Sequence, residues 1–191
     1  MNICTACGKG TLSPVIRSSP ILVLKEMVTQ NELEFQTVFV QNGKNKNGYE
    51  EHTATYYLAK EMAMVGLQLN SFSLANFYMH VPHAGGRKKV DRELAQACLD
   101  FSISEVVKIA KDMKLILMMG AETVRIFTGY NATEVYGLTV HSDYFPTPVI
   151  IPAPNSDKLL RIPIGEMRNA LGVFADQVKT YKQYIKIGEE K

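Results

Sequence analysis

Four short apolar runs punctuate the chain, each leading into a stretch with a different rhythm. Ile21-Leu22-Val23-Leu24 follows Pro20, with Lys25 and Glu26 at its C-terminal end. Phe72 to Met79 is largely apolar but carries an amide, Asn76. Leu115-Ile116-Leu117-Met118-Met119 and Val149-Ile150-Ile151 complete the set. Unbroken apolar runs of this length are what strands show when helices cover both faces of a sheet. Between them lie helical patterns. Thr53 to Gly66 has apolar residues at helical spacing, Thr53 or Thr55 as cap and Gly66 as stop. Val90 to Lys111 places Asp91 and Glu93 near its start and Lys108 and Lys111 near its end, as the helix dipole favours. Gly120-Ala121 turns the third strand directly into a helix over Glu122 to Thr128, and a last helix runs from Gly165 to about Ile185. This alternation predicts an α/β fold: a three-layer α/β/α sandwich with a central four-stranded, mostly parallel sheet, in one domain over residues 1–191. Met27 to Gly48 shows no helical period, Gln41 to Tyr49 reads as a flexible loop, and Gly129 to Val140 reads as irregular.

Composition narrows the picture. With 191 residues and 46% hydrophobic content, the chain is long enough for one sizeable core. A net charge of +2 means that any basic surface must be local; Arg87, Lys88 and Lys89, after Gly85 and Gly86, form one such run. There is neither an opening apolar run nor a stretch long enough to span a bilayer, so a cytoplasmic protein with no membrane partner is expected. The 3 cysteines suit a reducing compartment better than a disulfide framework. Cys4 and Cys7 form a CxxC among small, turn-forming residues, and thiols at that spacing can share one metal. The expected centre is Cys4, Cys7, His80 and Cys98, with Asn76 in a cleft beside it and His83 as a second choice for the histidine.

Several stretches, in this order, carry a resemblance. Asn76 followed by His80 falls on a strand similar to "TNxVKC". Lys114 to Gly129, KLILMMGAETVRIFTG, is similar to a strand and helix around "LGxxAxxxLxG". Pro148 to Pro163, PVIIPAPNSDKLLRIP, is similar to "PxxPTxHPSxLLRxP". Together with the N-terminal CxxC, they make the chain resemble the uracil-DNA glycosylase superfamily, in particular its iron–sulfur branch. The resemblance covers most of the chain and implies DNA as partner. It also implies a flipped base read by Asn76 against Phe39, and water ordered by Glu26. Leu159 and Leu160 would wedge the base stack while Arg161 holds phosphate, with Arg87, Lys88 and Lys89 neutralising further phosphates. It implies a 4Fe–4S iron–sulfur cluster, here with Cys3His ligation, for which structural zinc is the alternative.

Three departures shape the functional expectation. His80 stands where the family has a third cluster cysteine. Lys25-Glu26-Met27-Val28-Thr29 stands in place of "GEAPG", so only Glu26 matches and the glycines are absent. Asn155, followed by Ser156 and Asp157, stands in place of the "HPS" histidine; His52 and His141 have no counterpart. A neutral amide supplies neither the proton nor the charge of an imidazolium. The expectation is therefore a DNA-binding protein of this type with weak or lost uracil excision, Glu26 and Asn155 occupying the catalytic positions. The alternatives are an active glycosylase and a non-catalytic replication-complex or protein-binding subunit, for which a poxvirus polymerase processivity component in the family is a precedent.

Overall fold

A computed structural model of the chain describes residues 2–27, 32, 38–39, 42–44, 50–78, 92–155 and 165–189. The four apolar runs become β3 (Ile21–Met27), β6 (Ser73–Tyr78), β7 (Leu115–Met119) and β8 (Val149–Ala153). They form one sheet in the order β6-β3-β7-β8, and every pairing is parallel. Two small antiparallel pairs accompany it: β1 (Asn2–Ile3) with β2 (Gly10–Thr11), and β4 (Asn42–Lys44) with β5 (Glu50–His52). The second pair falls within and beside the stretch expected to be a loop. Its ladder pairs Asn42 with His52, Gly43 with Glu51 and Lys44 with Glu50, so no apolar alternation announces it.

The helices are α1 (Ala54–Met64), α2 (Arg92–Ala110), α3 (Ala121–Thr128), α4 (Ala132–Val135) and α5 (Gly165–Glu189). The Thr53 hydroxyl accepts from the Tyr56 N–H at 3.2 Å and so caps α1. Gly66, at φ 76°, provides the left-handed turn that ends it. α4 lies in the stretch expected to be irregular; four residues are too few to display a period.

Side-chain alternation along the strands divides the core in two. Val23, Leu117, Met119 and Ile151 face α1 and α5, packing with Leu58, Met62, Leu171 and Phe174. Leu22, Leu24, Phe77, Met118 and Ile150 face α2, α3 and α4, packing with Val106, Val124 and Phe127. Each buried leucine or phenylalanine of these layers contributes about 1.5–3 kcal/mol of transfer free energy. Arg168 of α5 grips Glu61 of α1 with two hydrogen bonds, 2.7 and 3.1 Å, lacing the outer faces of one layer.

The chain passes from β3 to its neighbour β6 on one side, then to its neighbour β7 on the other. Strand order therefore reverses around β3, and the crevice of such a sheet opens at the carboxyl ends of β3 and β7. Register aligns Asn76, Lys25, Met119 and Ala153 in one row across all four strands near that edge.

Candidate functional site

At the carboxyl edge the two faces of β3 carry different chemistry. On the α3 side, Glu26 Oε2 accepts from the backbone N–H of Glu122 at 2.8 Å and of Thr123 at 3.4 Å. A carboxylate from a distant strand thus caps the start of α3 and offsets its dipole. The turn that permits this is Gly120, at φ 109°. A Cβ built there would stand 2.3–2.7 Å from Oε2, Cβ and Cδ of Glu26. Gly120→Ala is therefore expected to destabilise the fold by about 3 kcal/mol or more, combining backbone strain with loss of the cap. A urea titration checks this, and a change under 1 kcal/mol would show that the cap is dispensable.

On the other face stand three buried polar side chains, Lys25, Glu32 and Asn76, beside the buried Phe39. Lys25 Nζ is 2.7 Å from Glu32 Oε2, both side chains almost wholly enclosed. Glu32 Oε1 accepts from the Phe39 N–H at 2.6 Å, and Lys25 Nζ lies 5.2 Å from the centroid of the Phe39 ring. Phe39 has φ 58°, an outlying conformation for an aromatic residue. Asn76, the register partner of Lys25, is 1% exposed, yet neither its amide nitrogen nor its oxygen has a hydrogen-bond partner among the described residues. Thr123 Oγ1 and the Tyr136 hydroxyl are the other buried polar atoms without a partner among the described residues. Burial and then the charges of Glu166 and Glu26 push the Tyr136 phenol up, so it stays a proton donor. The orphaned groups thus gather at the crevice end of the sheet. A groove of about 440 Å³ beside Arg17, Pro20, Glu105 and Met113 lies at the opposite, amino-terminal end and is remote from them.

The N-terminus supplies a third element. The chain folds back through Cys4 N–H to Lys9 C=O and Gly8 N–H to Cys4 C=O, both 2.8 Å. Gly8 turns at φ 69°. This knuckle presents Cys4 and Cys7 to Cys98 in the second turn of α2. The three sulfurs lie within 4.8 Å of one another, Cys4 and Cys98 at 4.0 Å, and all are thiols. Three cysteines brought together from sites 94 positions apart form a set that could hold a metal. Burial, the hydrogen bond with Cys7 and the charge of Cys4 push the Cys98 thiol up to about 12. For Cys7 burial works in the same direction, but the Lys9 backbone and the hydrogen bonds with Cys4 and Cys98 bring it below the ordinary thiol value.

These shifts set an alkaline limit. A thiol whose folded value is raised keeps its proton in the native state while the unfolded chain releases it. Stability from Cys98 is therefore full below pH 9 and is lost as pH rises from 9 toward about 12. Tyr78, raised by burial and by Glu122, and Tyr136 act in the same direction. The urea midpoint of metal-free protein is expected to fall between about pH 8 and about pH 10.5. A flat profile would mean that these groups are not buried as described.

Of the expected site residues, Glu26, Phe39, Asn76, Cys4, Cys7 and Cys98 all have described places. Asn155 is half-buried just past the end of β8, at the same edge. His80, Arg87, Lys88, Lys89, Leu159, Leu160 and Arg161 lie outside the described residues. Asn76 faces the α1 and α5 layer whereas Cys98 belongs to the helix on the other face, so the amide and the cysteine trio approach β6 from opposite sides. Glu32, Thr123 and Tyr136 were not expected; nothing in their local sequence separates them from ordinary surface or core positions. No helix among the described residues is long and apolar enough to cross a membrane. No protein-family model and no curated protein matches the chain.

Proposed function

We propose that this chain is a DNA-binding protein of the uracil-DNA glycosylase type that recognises a base at the carboxyl edge of its sheet, with uracil excision weak or lost. The observation that carries the reading is Asn76. A buried amide with neither atom paired costs about 1–3 kcal/mol, so its retention suits a partner that arrives from outside. An amide offers a donor and an acceptor side by side, which matches the edge of a nucleobase. Phe39 lies on the same side of the sheet, 5% exposed within the core layer of α1 and α5. The commitment of Glu26 Oε2 to the start of α3 favours binding over excision, because that oxygen already accepts two N–H groups. Asn155 at the second catalytic position points the same way.

Oligonucleotides carrying one deoxyuridine test both halves. Binding is expected at low salt and to weaken steeply as salt rises, through Arg87, Lys88, Lys89 and Arg161. Excision is expected to be absent or slower by about a hundred- to a thousand-fold than with a donor histidine in place of Asn155. Rapid excision that Asn76→Ala abolishes would establish the active enzyme. No affinity for single- or double-stranded DNA would leave the protein-binding reading.

For the cysteine set the sulfur spacing favours a single zinc ion over an iron–sulfur cluster. Thiolates on one tetrahedral zinc stand about 3.8 Å apart, given bonds of about 2.3 Å. In a cubane cluster each thiolate points outward from a different iron, which spreads the sulfurs further. His80 remains the proposed fourth ligand. Colourless protein with one zinc per chain is expected; brown protein with broad visible absorption would restore the cluster.

A further inference from the structure

We propose that the three cysteines form an oxidation site for hydroperoxides, in which Cys7 is the thiol attacked and Cys98 the thiol that resolves it into a disulfide. Base recognition is not needed for this, since Cys98 and Asn76 approach β6 from opposite sides.

The trio is asymmetric. Cys4 is 0% and Cys98 6% exposed, whereas Cys7 is half-buried. An oxidant arriving from water therefore meets Cys7 first. Both other thiols stand within 4.8 Å of it. An accessible cysteine with a resolving thiol beside it is the arrangement that redox-sensing sites share. The chain has no fourth cysteine, so no other thiol of the same molecule competes.

Cys4 and Cys98 are not equivalent as resolving groups. Cys4 shares with Cys7 a turn closed by two backbone bonds, Cys4 N–H to Lys9 C=O and Gly8 N–H to Cys4 C=O. A bridge between those two must draw the sulfurs to about 2.0 Å inside a turn whose backbone is already fixed. Cys98 stands on a separate element, α2, so side-chain rotation on both partners closes the gap. Holding a metal engages all three sulfurs, whereas a bridge takes two. The two states exclude each other, and in the bridged state Cys4 keeps its thiol.

The chemistry balances without a further reactant. The Cys7 sulfur, its proton released, attacks the distal oxygen of the hydroperoxide. The O–O bond breaks, an alcohol leaves with that proton, and Cys7 becomes a sulfenic acid. The Cys98 sulfur then attacks the Cys7 sulfur, the S–O bond breaks, and water leaves with the Cys98 proton. Two thiols and one hydroperoxide give one disulfide, one alcohol and one water. The two electrons lost by sulfur are those that reduce the O–O bond. A dithiol reductant reverses the bridge by exchange. Oxidation thus replaces a metal link between the knuckle and α2 by a covalent one, without releasing the N-terminus.

The test exposes the folded chain, metal-free and zinc-loaded, to hydrogen peroxide in the absence of denaturant. Titratable thiols are expected to fall from three to one per chain, with the Cys7 and Cys98 peptides joined in a non-reducing digest. Zinc-loaded protein should lose its metal in the same proportion, and dithiothreitol should restore both thiols. Cys98→Ser should leave a sulfenic acid on Cys7 that dimedone labels, and Cys7→Ser should keep both of its thiols. A Cys4–Cys7 or Cys4–Cys98 bridge in the unmodified chain would overturn the pairing. Three surviving thiols, a Cys7 sulfinic acid with no bridge, or thiol loss only once urea has unfolded the protein would overturn the site. These outcomes are read on the unmodified chain, so they hold even where a variant fails to fold.

Discussion

Stripping the metal with a chelator is expected to lower the melting temperature by about 8–16 °C. An ion present at about a thousand times its dissociation constant contributes about 4 kcal/mol. Each kcal/mol shifts the midpoint of a domain of this size by about 2–4 °C. The knuckle is otherwise held downstream, by buried Leu12 and by the Val15–Leu74 backbone bridge, 2.8 Å in each direction. Its ladder is two residue pairs, Asn2 with Thr11 and Ile3 with Gly10, and so short a hairpin is marginal alone. The cysteine set joins it to α2 across 94 positions, and closing so long a loop through a metal removes much entropy from the unfolded chain. Cys98→Ser should reproduce the fall and should be insensitive to further chelator. Identical melts with and without chelator, and a Cys98→Ser variant as stable as the parent, would exclude a resident metal.

The same knuckle shows how far the sequence reaches. Cys4 and Cys7 declare themselves by spacing, whereas no local pattern links Cys98, a helical cysteine, to a terminus so distant. The strands are legible because both faces of this sheet are covered: β7 reads LILMM without a polar interruption, and all five residues are buried. α1 is legible through Thr53 and Gly66, whose chemistry fixes its ends. The hairpin of β4 and β5 is not, since its side chains carry no alternation. Glu26 illustrates the harder limit. Its position at a strand end suggests catalysis, whereas its hydrogen bonds to Glu122 and Thr123 tie it to a helix 96 positions away. Glu32 is more extreme: in Asn31-Glu32-Leu33-Glu34 it resembles a solvated acid, and only the folded chain reveals the buried partner on β3.

Asn76→Leu is expected to stabilise the protein and to abolish base-dependent binding. The substitution nearly preserves shape while removing two buried polar atoms that have no partner among the described residues. Leaving such groups unsatisfied costs about 1–3 kcal/mol, so a gain of about 2 kcal/mol is the central expectation. In a domain of this size that is a rise of about 4–8 °C in melting temperature. Opposite signs for stability and binding are what a ligand-facing residue shows, because its polar atoms are unpaired in the free protein and paired only in the complex. A structural amide behaves differently: exchanging it for leucine would break bonds and lower the melting temperature. Thermal melts of the two proteins, with the abasic and deoxyuridine oligonucleotides as binding probes, separate the cases. A melting temperature lowered by several degrees would assign Asn76 to the scaffold and remove the main support for base recognition at this edge. A raised one, with affinity for deoxyuridine reduced to that for the abasic strand, would assign Asn76 to the ligand.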